Sequence, residues 1–431
     1  MIKVSYENSL INLSASLLKH YNAFIEYKTL KVVDEYLNKG YNHVILMVLD
    51  GLGINIIKAH LDENDGLRKN IKHVANSVFP PTTVAATNAI LSGKPSFVSG
   101  FVGWMQYNQF ADAHEVVFFG YDYYDANKIV SPQLQQNFLK YENILDKIKK
   151  KNEDLHVEVV FPSFHKTNGY ETFDDQLNRL LMITQKKKSF TYCYSDQPDL
   201  TIHQNGIYTD EVKRCVKSIN ASYERFLREI KDDVLVIVTA DHGLIDVEPI
   251  KLYNYNDVVK TFIRKPALEA RATAFFVKEE EKKNFEKLFK KYFKDDFLLL
   301  SREELYETNL LGYGVKNSLL DSFIGDYLAI AVKNKMFVLC DREPFKAHHA
   351  GLTKEELEIP IIINRWNGGV YYGMAWWNKN YWRKSRSKKW KRPRRYHENR
   401  LWKRTSLCFI SKDERSCISL SGGTWTRLSN H

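Results

Sequence analysis

Seven short apolar runs set the frame for this chain. They are HVILMVLD (43–50), VEVVFP (157–162), FTYCYS (190–195), VLVIVTAD (234–241), ATAFFV (272–277), YLAIAV (327–332) and IPIII (359–363). Continuous apolar runs of this length, without alternation, mark strands covered on both faces, because neither set of side chains meets water. Segments with apolar residues at three- and four-residue spacing, over 136–151 and 208–231, lie between runs and predict helices. Strand-helix alternation predicts an α/β fold, a three-layer αβα sandwich with a mostly parallel central sheet. Residues 278–305 are charged and helical in pattern, and predict one solvated amphipathic helix. Residue 79 opens FPPTTVAATNAILSG, in which two prolines and two threonines precede an alanine-rich run, the pattern of a capped helix start.

The 431 residues are 44% hydrophobic, as in a soluble globular protein. No apolar run reaches the roughly 18–20 residues that span a bilayer, so no membrane span is expected. The start, MIKVSYENSLINLSASLLKHYN, holds too short and interrupted an apolar segment for a secretory signal. Five scattered cysteines without CxxC spacing predict free thiols in a reducing compartment, and the expected location is cytoplasmic.

The net charge of +11 is unevenly spread. Residues 365–431 hold 17 of the 63 Lys and Arg but 3 of the 52 Asp and Glu, so the rest is nearly balanced. The same segment holds seven of the eight tryptophans, all but Trp104. Residues 1–364 are therefore read as one domain, and 365–431 as an atypical basic, Trp/Arg-rich tail. Three readings of the tail stand: a nucleic-acid-binding segment that grips phosphates and stacks bases, the product of a reading-frame shift, or a poorly ordered extension.

Ligands of open α/β sheets bind at the carboxyl ends of the strands. Asp50 ends its run in LMVLDGLG, and Asp241 and His242 end theirs in VIVTADHGLID. Asp199 and His203 follow the run ending near Ser195, and His348 and His349 precede the run at 359–363. Thr83 sits at the loop-to-helix junction expected after the first strand. Five distant segments thus send Asp, His or Thr to one sheet edge. Such carboxylate and imidazole sets bind zinc first, with manganese or iron as the other candidates. Two such ions can clamp the attacking and leaving oxygens of phosphoryl transfer, and one can activate a threonine hydroxyl.

In this order the segments resemble the alkaline phosphatase superfamily, and within it the type I phosphodiesterase/nucleotide pyrophosphatase branch, over roughly residues 43–364. The resemblance implies two divalent metal ions. Asp50, Thr83, Asp241 and His242 would hold one, and Asp199, His203 and His349 the other. His349 is chosen because HAGLTKEE (349–356) matches the family's HGG-hydroxyl-x-E-E pattern, with Ala350 in place of a glycine. Thr83 is chosen over Thr82 because the family's nucleophile lies ten residues before a glycine, here Gly93. SGFVGW (99–104) departs from the family's HGIVGN, so Trp104 stands where an asparagine would hold phosphoryl oxygens. Gln106 and Asn108 are the candidate substitutes. The implied activity is metal-dependent hydrolysis of phosphate diesters or nucleotide pyrophosphate bonds, on a small phosphate ester or nucleotide. A phosphomonoesterase, phosphomutase or phosphonate hydrolase of the same superfamily, and a nucleic-acid-binding protein acting through the tail, are the alternatives.

Overall fold

A computed structural model describes residues 4–163 and 169–365. The chain divides into two compact units. One comprises Met1–Tyr124 and Val130–Asn367 and holds both sheets described here. The other comprises Asp125–Ile129 and Gly368–His431, of which the described part is the strand Asp125–Ile129. The tail beyond residue 365 lies outside the described residues.

The main sheet has six strands in the order Ile71–Asn76, Glu358–Arg365, Val234–Thr239, His43–Leu49, Ser189–Ser195 and His156–Val160. The last four are mutually parallel. Every residue of His43–Leu49, Ser189–Ser195 and Val234–Thr239 is buried, as continuous apolar runs require when helices cover both faces. The helices form two groups. Leu10–His20, Thr83–Ser92 and Ile144–Lys151 touch one another, and Ile54–His60, Phe173–Ile183 and Asp210–Glu229 form the other.

Three expectations change. The run at 359–363 is not parallel: Glu358–Arg365 runs antiparallel to both neighbours, so the sheet is mixed. ATAFFV and YLAIAV belong to a second, wholly antiparallel sheet, in the order Phe297–Ser301, Tyr327–Ala331, Ala272–Val277, Phe262–Leu268, Met105–Asn108, Ala113–Val116 and Tyr121–Asp122. Apolarity reports burial, not the direction of the partner strand. Residues 278–305 are also not one solvated helix. The helix Lys282–Phe293 buries Phe285, Phe289 and Phe293 in a separate apolar core, and Phe297–Ser301 returns as an edge strand against Tyr327–Ala331.

Candidate active site

Three neighbouring central strands deliver the acids. Asp50 follows His43–Leu49, Asp241 and His242 follow Val234–Thr239, and Asp199 opens the helix Asp199–Asn205 shortly after Ser189–Ser195. The turns after the first and third of these lie close together. Gly51 has φ +71°, and a Cβ there would stand 2.9 Å from the Asp199 Cα, so only glycine fits. Asp241 Oδ1 accepts from the backbone N–H groups of Gly51 (3.1 Å) and His242 (3.0 Å). The Tyr194 hydroxyl donates to Asp50 Oδ2. Thr83 does not follow the first strand directly. It comes after Ile71–Asn76, an edge strand whose mixed polar sequence hid it, and is the first residue of the helix Thr83–Ser92.

His242 Nε2 lies 3.2 Å from Thr83 Oγ1, 3.5 Å from Asp50 Oδ1 and 3.6 Å from Asp241 Oδ2. Asp199 Oδ2 lies 3.2 Å from His203 Nε2. Two sets of ligand atoms each fall within 4.8 Å: Asp199, His203 and His349, and Asp50, Asp199 and His242. Asp199 therefore reaches into both sets. His203 Nδ1 meets the Ala347 carbonyl at 2.7 Å and His242 Nδ1 meets that of Gly243 at 3.2 Å, an arrangement that leaves each Nε2 free as a ligand atom.

The loop of His349 is placed by two devices. The short antiparallel pair Ile245–Asp246/Ala347–His348 carries it beside His242. Glu356 then holds it from within, accepting from Gly351 N (2.7 Å) and Thr353 Oγ1 (2.7 Å). Arg271, fully buried, grips both Glu356 oxygens (2.7 and 2.8 Å) and the carbonyls of Lys333 and Lys335. Ala350 sits at φ +84°, the left-handed conformation that the family's glycine would take freely. His348 Nδ1 accepts from the His349 backbone N–H at 2.9 Å.

Among the described residues, Asp50 Oδ1, Asp199 Oδ1, Asp241 Oδ2 and His349 Nδ1 are buried without a hydrogen-bond partner. Each such atom costs about 1–3 kcal/mol. Four of them in one pocket, three on carboxylates, fit residues shaped to hold cations. The electrostatics agree. Burial, then the neighbouring Asp241 and Asp199, pushes the Asp50 carboxyl well up. Burial also raises Asp199, but His203 outweighs it and holds the carboxyl low. Burial, then His242, drives His349 well below the ordinary histidine value, which leaves its imidazole neutral.

The remaining candidates separate. Gln106 is buried, bonded to the Val102 N–H and the Gly100 carbonyl. Asn108 is buried, bonded to Glu115 and the Pro132 carbonyl. Both amides are engaged in building the strand Met105–Asn108, and neither is free to replace the missing asparagine. The Trp104 indole packs edge-on against Phe118 and Phe119, with centroids 6.1 and 5.7 Å away. What sequence reasoning missed is Glu269. Its Oε1 accepts from the Thr82 hydroxyl and from the Trp104 N–H, both at 2.6 Å. Burial pushes its carboxyl up to about 7. The available signal was an acid inside ALEARATAFFV, between two apolar stretches.

A family model described as type I phosphodiesterase / nucleotide pyrophosphatase matches residues 44–351. The chain belongs to this family. As a type I phosphodiesterase / nucleotide pyrophosphatase it is a hydrolase of the alkaline phosphatase superfamily, in a metal-dependent family whose candidate ligand groups it carries. A sequence search of curated proteins finds no match. The fold is similar to that of murine ectonucleotide pyrophosphatase / phosphodiesterase 5, solved as an inactive variant in complex with AMP. That pair has 13% identity and a TM-score of 0.57, covering 74% of this chain and 87% of that one. The human enzyme of the same name gives 13%, 0.58, 74% and 87%. Phosphonoacetate hydrolase from Sinorhizobium meliloti 1021, in complex with phosphonoformate, gives 16%, 0.52, 74% and 89%. No helix among the described residues is long and apolar enough to cross a membrane.

Proposed function

We propose that this chain hydrolyses phosphate diesters or nucleotide pyrophosphate bonds, with Thr83 as nucleophile and two divalent ions, zinc first. The observation that carries the reading is the convergence of the partnerless Asp50, Asp199, Asp241 and His349 atoms beside Thr83 Oγ1. Asp50, Asp241, His242 and Thr83 would hold one ion, and Asp199, His203 and His349 the other. The ions would supply positive charge to the attacking and leaving oxygens and ease ionisation of the threonine hydroxyl. Thr83 Oγ1 attacks phosphorus, the ester or pyrophosphate oxygen departs, and water then cleaves the phosphothreonine. As the first residue of its helix, Thr83 lies at the positive end of a ten-residue dipole, where anionic phosphoryl charge is favoured.

A nucleotide substrate is supported by the similar fold solved with AMP, and a phosphonate is the second reading, supported by the similar phosphonate hydrolase. The test is metal analysis of the purified chain alongside bis-p-nitrophenyl phosphate, p-nitrophenyl phosphate, dinucleotides and phosphonoacetate. Bound divalent metal with diester or pyrophosphate turnover is expected; no metal and no hydrolysis overturns the reading. Deleting 365–431 should leave hydrolysis intact, whereas loss of a salt-sensitive nucleic-acid affinity without any hydrolysis would favour the tail as the functional part.

A further inference from the structure

The strand Phe262–Leu268 meets the second sheet's inner half through one pairing, Leu268 with Met105. Leu268 holds φ +74°, a strained state for a branched side chain. Gly103 packs so closely that a Cβ on it would stand 3.1 Å from the Leu268 Cα. This crossing brings Glu269, the next residue, between the two segments that flank the nucleophile. Both donors, the Thr82 hydroxyl and the Trp104 N–H, fall on Oε1. The side chain is buried, and its charge is coupled to His203 and Asp199 across the pocket. The nearest cation in sequence, Arg271, is fully engaged by Glu356 and two carbonyls. Trp104 stands where the family resemblance puts an amide donor; its indole is turned onto Phe118 and Phe119, and its backbone N–H is held by the Glu269 carboxylate.

We propose that Glu269 is a specificity-determining residue: its carboxylate walls the phosphoryl pocket and admits phosphorus bearing one negative charge while rejecting phosphorus bearing two. The inference rests on the reading of this pocket as the hydrolytic site. Asp50, Asp199, Asp241 and Glu269 are four carboxylates, which two divalent cations balance without surplus. Cations close by favour the ionised form of Glu269. A second phosphoryl charge would then face an uncompensated anion a few ångströms away in a water-poor cleft.

Glu269→Gln keeps the side chain's shape and an Oε1 that accepts both hydrogen bonds, and removes the charge. In the metal-loaded full chain at pH 8, isothermal titration with inorganic phosphate should show at least about tenfold tighter binding in the variant. The ratio of kcat/KM for p-nitrophenyl phosphate to that for bis-p-nitrophenyl phosphate should rise by at least about the same factor. Unchanged phosphate affinity and an unchanged ratio in folded, metal-loaded variant overturn the proposal. A measurement on the unaltered chain stands independently: monoanionic dimethyl phosphate should bind more tightly than dianionic phosphate, and the reverse order overturns the proposal. Wild-type protein that binds no metal and cleaves neither ester would instead sink the hydrolytic reading on which the proposal rests, whereas metal-bound protein that cleaves the diester with an unchanged phosphate affinity in Glu269→Gln sinks the role of Glu269 alone.

Discussion

His242 and His349 stack with ring centroids 3.9 Å apart and planes 28° from parallel. One follows the central strand Val234–Thr239 and the other leaves the small pair at Ala347–His348, so the stack joins the two candidate ligand sets into one pocket. Burial, and then the His242 ring beside it, disfavours a proton on His349.

That neutrality gives the metal-free chain a stability optimum near pH 6.5. Burial lowers His20, His43, His60, His114, His348 and His349 below their unfolded value. Below about pH 6.5 the unfolded chain takes up the protons these residues refuse, and stability falls with falling pH. His203 is shifted upward by Asp199 against burial, and burial pushes the Glu269 carboxyl up to about 7. Above pH 6.5 the folded chain binds the extra protons, and stability falls with rising pH towards the folded values of these two groups. Thermal unfolding of chelator-treated protein from pH 5 to 9 should show this maximum. A monotonic rise across that range would contradict it.

Thr83→Ala should lower kcat/KM at least about a thousandfold, as loss of a nucleophile does. Metal content, read by atomic emission, should largely persist, because Asp50, Asp241 and His242 remain. Turnover near the wild-type rate would remove Thr83 from the mechanism.

Arg271→Met leaves Glu356 as an unpaired buried charge, which costs about 3–5 kcal/mol. Because Glu356 holds Gly351 and Thr353, the His349 loop should loosen as well. Denaturant unfolding and a metal titration should therefore both weaken. A stability loss with unaltered metal affinity would show that the loop holds its shape without the pair.

Ala350→Gly should stabilise the chain by about 0.5–1 kcal/mol. The left-handed φ costs alanine about 1–2 kcal/mol, partly offset by the greater entropy glycine loses on folding. The midpoint of denaturant unfolding should rise at constant slope.

The acids at strand ends were legible because an Asp closing a fully apolar run has few structural reasons to be there, and Asp50 and Asp241 both close one. The strand Ile71–Asn76 was not, since an edge strand with one neighbour tolerates Lys72, His73 and Asn76. Glu269 was hidden for another reason. Its place depends on the pairing of Leu268 with Met105, a register between distant segments that local periodicity does not encode. The same limit put Gln106 and Asn108 among the substrate contacts: polar residues near a nucleophile in sequence turn out to face their own strand and its supports.

The position of Glu358–Arg365 inside the main sheet bears on synthesis. It is made after every other strand of that sheet, yet it lies between Val234–Thr239 and Ile71–Asn76. Until it emerges from the ribosome, Val234–Thr239 presents an open apolar edge and Ile71–Asn76 has no ladder to join. A nascent chain halted before residue 358 would carry all seven candidate ligand residues on an unclosed sheet. Such a product would be a target for aggregation and proteolysis rather than a smaller enzyme.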